Sequence, residues 1–337
     1  MNSRDTRYAR FALVREMLES AEVVRSFDPS AVEPFIEDMA VGPVLLSGEG
    51  SSRIFPAKRA VYDSLRWGYR DTLFTEASTQ ALEYRLDGAS VFVASNSGRT
   101  KEGVRLVRTL WAGGHRHIYG VVSHDGTPIA VESRLSYLLA CGAENAVAAT
   151  KSVIEQALFY DVLFRKRNGR ALPDFGELGD LLQKTMELSV PEEMASRLAS
   201  ASTLYWAGRN DGVAEELTLK TNEITRKKSD FLEGTYAVHG IEEVMDAAAA
   251  VIVVAPWPEE EQKFAEVLEK GVGLALFGVG ERPSSLPIFE IPDGGELAPY
   301  LRLVAGWNLL VEVGVRLGVD LDKPVRARKV GNEIQEK

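Results

Sequence analysis

Short apolar runs that lead through small polar loops into helical stretches recur along this chain. Residues 44–47 run into the loop 48–52, and residues 91–95 run into the loop 95–100. The same scheme restarts at residues 203–207, where a glycine-containing loop leads into a helix. Strands that alternate with helices form parallel sheets that are covered on both faces. The sequence therefore predicts an α/β fold of two doubly wound parallel-sheet domains that share one topology.

Breaks in this alternation set the predicted domain limits. Residues 8–22 carry apolar side chains at helical spacing, and a basic stretch with glycine and proline at 165–173 separates the two alternating halves. We expect a helical N-terminal segment, a first domain, a second domain and a C-terminal tail, over residues 1–40, 41–170, 171–318 and 319–337.

Cysteine content and hydropathy indicate the compartment. The single Cys141 cannot form an internal disulfide, which is typical of proteins from a reducing compartment. The N-terminus is polar and lacks the apolar segment of a signal peptide. No apolar run approaches the roughly 20 residues that span a bilayer. We therefore expect a cytoplasmic protein without a membrane partner.

Charge and residue content exclude several classes of ligand. The formal net charge of −10 disfavours nucleic acid as a partner. Four histidines and one cysteine are too few for a Cys/His metal cluster. The loop 48–52 lacks both the glycine spacing of a dinucleotide fingerprint and the lysine of a P-loop. We predict neither a metal nor a cofactor, whereas a small anionic substrate is compatible with a local site.

The loop 95–100, S-N-S-G-R-T, has the chemistry of an anion site. Its hydroxyl groups, the permissive Gly98 and the N–H groups of a helix start can surround a phosphate without a lysine. The alternative is an ordinary helix cap formed by Ser97 or Thr100. The corresponding loop of the second half, residues 255–261, contains two prolines and three acidic residues and should repel phosphate. This divergence favours an anion site in the first half only.

The stretch 220–240 begins on an amphipathic helix and is expected to end in a loop. Lys220 and Glu223 are three residues apart and share a helix face, which is typical of a solvent-exposed ion pair. His239 precedes Gly240 and has the pattern of a surface-loop histidine. Periodicity alone assigns no catalytic role to these residues.

Five motifs in order resemble one family. They are G-E-G-S-S, S-N-S-G-R-T, C-G-A-E-N-A-V-A-A-T-K, N-E-I followed by H-G, and D-L-D-K-P. Over residues 41–330 the chain resembles the sugar isomerase (SIS) domain family, most closely the two-domain isomerase half of glucosamine-6-phosphate synthase. The resemblance implies flavodoxin-like SIS domains in tandem and a tail that closes the active site.

The resemblance also implies a set of substrate contacts and catalytic groups. Glu223 matches the base that moves a proton between C1 and C2, with Lys220 beside it. His239 matches the histidine that assists ring opening, and Lys329 matches a lysine that can form an imine with a ketose. In the family the histidine comes from the neighbouring subunit, which implies a homodimer with shared active sites. The implied sugar and phosphate contacts are Ser52, Ser95, Asn96, Ser97, Thr100 and the backbone of Val147.

Departures from the family pattern lie near the sugar. Arg99 replaces a glutamate, Ala149 replaces a serine, and Ile241 replaces a proline. The glutaminase domain of the synthase is not in this sequence. The sequence therefore predicts a phosphosugar isomerase or an amino-sugar-phosphate deaminase that acts without glutamine. The alternatives are a deglycase of amino-acid adducts of 6-phosphosugars and a non-catalytic sugar-phosphate regulator.

Overall fold

Two five-stranded parallel sheets organise the computed structural model, which describes residues 1–2, 4–328 and 332–334. The chain divides into two compact units, each built on one sheet. Of the described residues, the N-sheet unit comprises 22–144, 149–175, 328 and 332–334. The C-sheet unit comprises residues 1–21, 145–148 and 176–327.

The sheet of the N-sheet unit has the strand order β2-β1-β3-β4-β5. This is the order of flavodoxin-like doubly wound folds, in which the chain reverses direction across the sheet between β1 and β3. Strands β3 and β4 are buried along their whole length, as expected for a parallel sheet with helices on both faces. The strands are β1 (Pro43–Gly48), β2 (Thr72–Ala77), β3 (Ser90–Ser95), β4 (Ile118–Val122) and β5 (Leu135–Leu138).

The sheet of the C-sheet unit repeats this topology. Its order is β10-β9-β8-β6-β7, so the first strand again lies between the second and the third. The prediction of two α/β doubly wound sheets of one topology is confirmed. The strands are β6 (Thr203–Gly208), β7 (Lys228–Glu233), β8 (Ala250–Val254), β9 (Ala275–Gly280) and β10 (Ile288–Glu290).

Thirteen α-helices are assigned among the described residues. Two long ones, α8 and α13, are buried along nearly their whole length; α13 is mostly apolar, whereas α8 also buries charged residues such as Asp161 and Arg165, which pair with each other. No helix in the described part of the chain is long and apolar enough to cross a membrane. The helices are α1 (Thr6–Ala9), α2 (Ala12–Arg25), α3 (Glu33–Asp38), α4 (Ile54–Trp67), α5 (Ser78–Ala81), α6 (Lys101–Ala112), α7 (Pro128–Glu132), α8 (Lys151–Arg167), α9 (Phe175–Glu187), α10 (Glu192–Ser200), α11 (Val213–Thr225), α12 (Glu261–Phe264) and α13 (Ala298–Arg316).

The sequence pattern does not indicate two of the strands, β2 and β7. Strand β2 lies at one edge of its sheet, and β7 lies at the corresponding edge of the other. Both are partly exposed and carry polar residues, so neither gives an apolar run. The stretch 220–240 begins on α11 and ends in a loop, as predicted, but it also contains β7, which the sequence pattern does not indicate.

Candidate functional site

The switch point of the N-sheet brings two predicted loops together. Strand β1 pairs with β3 in parallel, with Gly48 opposite Ala94. The loops that follow these two strands therefore leave the same edge of the sheet side by side. Ligands of doubly wound sheets bind at this point. The topology thus brings together residues 48–52 and 95–100, which the sequence analysis singled out separately.

Local hydrogen bonds hold the loop 95–100 in a compact turn. The Oγ of Ser95 lies 2.8 Å from the Oγ1 of Thr100 and accepts a bond of 3.1 Å from the N–H of Gly98. Gly98 has a φ of +65°, and a Cβ at this position would lie 2.1 Å from the Oγ1 of Thr127. Only glycine combines this conformation with this close approach.

The helix-cap interpretation of this loop fails. Thr100 occupies the N-cap position of α6, but its side chain makes no capping hydrogen bond. The Oγ of Ser97 accepts from the N–H of Arg99, which precedes the helix. Among the described residues, no acceptor is assigned to the N–H groups of Ser97 and Thr100. The hydroxyl groups of Ser97 and Thr100 therefore do not cap α6. An anion site needs N–H groups that are not bound within the loop, and those of Ser97 and Thr100 meet this requirement.

Part of the C-terminal tail pairs with this loop. Glu333 forms an antiparallel bridge with Thr100, and the N–H of Ile334 donates to the carbonyl of Arg99 at 3.1 Å. The carbonyl of Asn332 accepts from the N–H of Lys101 at 3.0 Å. The first N–H group of α6 is therefore bound by the tail. The predicted imine-forming lysine, Lys329, lies outside the described residues.

Asn96 is held by its side chain as well as by its backbone. Its Nδ2 donates to the Oε2 of Glu144 at 2.8 Å and to the Oγ of Ser152 at 2.9 Å. Its carbonyl accepts from the N–H of Ser123 at 3.0 Å. Both amide protons are thus used within the protein, so a contact between Asn96 and an anion would come from its backbone. Sequence reasoning did not single out Glu144, although it lies inside the third motif.

Ser52 ends the short turn Gly50–Ser52 and is half-buried. The neighbouring Glu49 accepts a hydrogen bond of 2.9 Å from the N–H of Ser78. Burial raises the pKa of the Glu49 carboxyl, while the bond from Ser78 opposes the rise. The first loop thus adds a hydroxyl and a partly desolvated carboxyl to this edge of the N-sheet.

Val147 belongs to the C-sheet unit, in the short segment 145–148. Its N–H donates to the carbonyl of Asp322 at 3.0 Å. The carboxylate of Asp322 accepts from the N–H groups of Ala12 and Leu13 at the start of α2. The backbone N–H of Val147 is therefore already bound, and a sugar contact at this residue would use its carbonyl.

Helix α11 carries a buried charge cluster. The Nζ of Lys220 lies 2.9 Å from the Oε2 of Glu223 and 3.1 Å from the Oε1 of Glu216. The side chains of Lys220 and Glu216 are 0% exposed, whereas that of Glu223 is 19% exposed. The expectation of a solvent-exposed ion pair is wrong, and Glu216 is a third member that the sequence analysis missed. Its signal is its position four residues before Lys220.

The charges of this cluster determine its protonation. Burial alone lowers the pKa of Lys220, but the carboxylates of Glu223 and Glu216 outweigh burial and raise it overall. Lys220 is therefore an ammonium group between two carboxylates. Because Glu223 is the only one of the three with substantial exposure, it is the group of the cluster that a substrate can reach.

His239 follows the short helical turn Tyr236–Val238 and is exposed. Its main-chain N–H donates to the carbonyl of Tyr236 at 3.0 Å, and Gly240 follows in a left-handed conformation. No hydrogen bond of the His239 ring is assigned within the described residues. The ring is thus presented on the surface of the C-sheet unit.

The loop 95–100, the candidate anion loop, corresponds to residues 255–261 of the C-sheet unit, and these have different contacts. After β8, the carbonyl of Ala255 accepts from the Nη1 of Arg209 at 2.6 Å. The Arg209 guanidinium also lies 4.2 Å from the ring centre of Trp257. The loop after β8 is therefore bound to the loop after β6 by a cation–π contact and a hydrogen bond. In that part of the chain which the structure describes, no group of three His, Cys, Asp or Glu residues could hold a metal ion.

Known proteins share this architecture. The glutamine–fructose-6-phosphate aminotransferase of Aeropyrum pernix is 27% identical over 269 residues, which are 71% of this chain and 43% of that protein. The C-terminal domain of the glucosamine-fructose-6-phosphate aminotransferase of Francisella tularensis superposes with a TM-score of 0.74 at 18% identity, over 94% of this chain and 98% of that one. The chain has the tandem sugar isomerase fold.

A second similar structure is named for a different activity. The glucosamine-6-phosphate deaminase of Thermotoga maritima superposes with a TM-score of 0.72 at 20% identity, over 93% of this chain and 98% of that one. No protein-family model matches the chain. The chain spans about two fifths of the length of the curated relatives it matches. The recognition of a SIS protein that resembles the isomerase half of the aminotransferase is confirmed.

Proposed function

We propose that this SIS protein is a phosphosugar isomerase or an amino-sugar-phosphate deaminase that acts without glutamine. The observation that carries the proposal is the Glu216–Lys220–Glu223 cluster, in which only Glu223 reaches solvent. A positioned carboxylate is the group that moves a proton between two carbon atoms. The similar proteins are named for reactions of fructose 6-phosphate or glucosamine 6-phosphate, which supports the choice of substrate.

Each step is assigned to a named group. The loop 95–100 binds the phosphate through the N–H groups of Ser97 and Thr100 and through its hydroxyl groups. Glu223 takes the proton from C1 or C2 and returns it to the neighbouring carbon. His239 moves a proton at the ring oxygen. Binding energy from the phosphate, which does not react, orients the carbon atoms that do.

Replacement of the proposed base tests the function. The protein is incubated with glucosamine 6-phosphate, or with fructose 6-phosphate and ammonia, and the sugar products are quantified. Because Glu223→Gln removes the proton carrier and keeps the shape, we expect kcat to fall about 10²- to 10⁴-fold. Glu266→Gln, the same change at an exposed position of the C-sheet unit, should leave kcat unchanged. Full turnover by Glu223→Gln would refute the assignment.

A deglycase is the second candidate, and Arg99 is the observation that favours it. Arg99 lies in the anion loop, and no ion pair or hydrogen bond of its guanidinium is assigned among the described residues. The carboxylate of an amino-acid adduct would supply a partner for this group. Turnover of such an adduct in preference to the free phosphosugar, lost in Arg99→Glu, would favour the deglycase. Phosphosugar binding in calorimetry without any turnover would indicate a regulator.

We also propose a homodimer in which His239 serves the site of the partner subunit. Tyr236 and Val244, on either side of His239 in the chain, are exposed hydrophobic residues. When inactive Glu223→Gln and His239→Asn chains are mixed and allowed to exchange subunits, heterodimers contain one intact site. Activity should return to about a quarter of wild type. No recovery despite verified subunit exchange would show that each site uses its own histidine.

A further inference from the structure

We infer that Glu144 is a positioning residue, which holds the anion loop of the N-sheet unit in its binding conformation. The inference rests on the proposed function, because the loop 95–100 must bind an anion for its position to matter. Glu144 lies in the motif C-G-A-E-N-A-V, outside both the predicted phosphate contacts and the predicted acid–base groups.

The two carboxylate oxygens of Glu144 bind different elements. Its Oε2 accepts from the Nδ2 of Asn96 at 2.8 Å and from the Oγ of Ser152 at 2.7 Å. Its Oε1 accepts from the N–H of Thr150 at 2.7 Å and from the hydroxyl of Thr150 at 3.1 Å. The four groups just named are all donors. Glu144 therefore acts towards them as an acceptor only, which is the behaviour of an ionised carboxylate.

Asn96, Glu144 and Ser152 form a closed triangle of hydrogen bonds. Asn96 gives one amide proton to Glu144 and the other to Ser152, whose own proton goes to Glu144. Every proton in the triangle has one acceptor. The orientation of the Asn96 side chain is therefore fixed from two directions, and with it the backbone that leads into Ser97.

Glu144 also supplies the missing cap of α8. Thr150 is the N-cap residue of this helix, yet its side chain makes no capping bond. The Glu144 carboxylate instead accepts from the N–H of Thr150 and, at 3.4 Å, from the N–H of Ser152. A carboxylate at a helix N-terminus is stabilised by the helix dipole. One side chain thus attaches the anion loop to the positive end of a buried helix of 17 residues.

Substitution of Glu144 should affect binding and spare the chemistry. Glutamine at this position brings an NH₂ group against at least one donor of Asn96, Ser152 or Thr150, so the triangle opens. For Glu144→Gln we expect a Kd for inorganic phosphate, measured by calorimetry, about tenfold above wild type. The KM for fructose 6-phosphate should rise by a similar factor, with kcat within about threefold of wild type. Glu144→Asp keeps the charge and should recover part of the affinity.

A matched control separates positioning from folding. Glu155 is a second buried carboxylate on the same unit, and it accepts from the main-chain N–H groups of Ala140 and Cys141, away from the loop. Glu155→Gln should lower the free energy of unfolding and leave the phosphate Kd unchanged. An equal rise in Kd for both variants, or an unchanged Kd in folded Glu144→Gln, would overturn the inference. If wild type binds neither phosphate nor phosphosugar, the proposed function fails first.

Discussion

The two sheets of this protein share one strand order. They differ in the loop that follows the third strand and in the helix that follows the first strand. In the N-sheet unit, the loop after β3 is a glycine-containing turn with N–H and hydroxyl donors. In the C-sheet unit, the loop after β8 is bound by Arg209 and carries Trp257. The two units therefore share one topology, but the groups at their two switch points differ.

The helices that follow the first strand of each sheet, α4 and α11, also differ, although both bury charges. On α4, Arg59 pairs with Asp63 at 3.0 Å, and both side chains are almost completely buried. On α11, Lys220 is equally buried, but its partner Glu223 reaches solvent. A closed ion pair holds a structure, whereas a pair with one open member can meet a substrate. The comparison therefore shows that α11, unlike α4, has a member of its ion pair that a solute can reach.

The largest effect is expected when the buried ammonium group of α11 is removed. Lys220→Met leaves the carboxylate of Glu216 buried and uncompensated, which costs about 3–5 kcal/mol of unfolding free energy. Urea denaturation followed by circular dichroism measures this loss. The double variant Lys220→Met with Glu216→Gln should recover most of it, because no unpaired charge remains. A loss below about 1 kcal/mol in the single variant would contradict the burial of Lys220 and Glu216.

The anion loop gives the next prediction. In the double variant Ser97→Ala with Thr100→Ala, the hydroxyl groups are lost, and we expect the KM for fructose 6-phosphate to rise about 10- to 100-fold. The unfolding free energy should change little, because neither side chain caps α6. Glu259→Gln and Glu260→Gln, in the corresponding loop of the C-sheet unit, should leave KM unchanged. Equal KM shifts in the two loops would erase the distinction between the switch points.

The difference between the two loops could be predicted from the sequence, but the burial of the Lys220–Glu223 pair could not. Apolar runs marked the inner strands β3 and β8, whereas the polar edge strands β2 and β7 gave no such signal. The spacing of Lys220 and Glu223 is the same in an exposed pair and a buried one. Their burial comes from the packing of α11 on α13, where Gly306 lets the side chain of Leu217 approach closely. That contact joins residues far apart in the chain.

The role of Glu144 could not be predicted from the sequence, because it too depends on a contact between residues far apart in the chain. Its role depends on Asn96, which precedes it by 48 residues. A carboxylate in a loop has no periodicity that reveals its partners. By contrast, the hydroxyl-rich loop 95–100 could be recognised locally, because its donors and its glycine are contiguous. Local chemistry was therefore predictable, and the groups that orient it were not.

The closed pair of α4 should make stability depend on pH. Burial raises the pKa of Asp63 to about 6, with Arg59 opposing the rise and Asp161 adding to it. The folded state therefore binds a proton more tightly than the unfolded chain. This group adds stability as pH falls from 7 through 6 towards 4, and the gain is lost as pH rises again. In Asp63→Asn, unfolding free energies measured at pH 5 and pH 7.5 should lack this contribution, and an unchanged difference would refute it.

The smallest effect is expected from exchange of two residues that adopt left-handed backbone conformations in the two corresponding loops. Ala255 has a φ of +49° and Gly98 a φ of +65°. Ala255→Gly relieves about 1–2 kcal/mol of strain but frees the unfolded chain by about 0.4–1 kcal/mol, so stability should rise by at most about 1.6 kcal/mol. Gly98→Ala adds the same strain and a Cβ 2.1 Å from the Oγ1 of Thr127. It should weaken phosphate binding in calorimetry, whereas Ala255→Gly should not. Weakened binding in both variants would show that the effect is not specific to the loop 95–100.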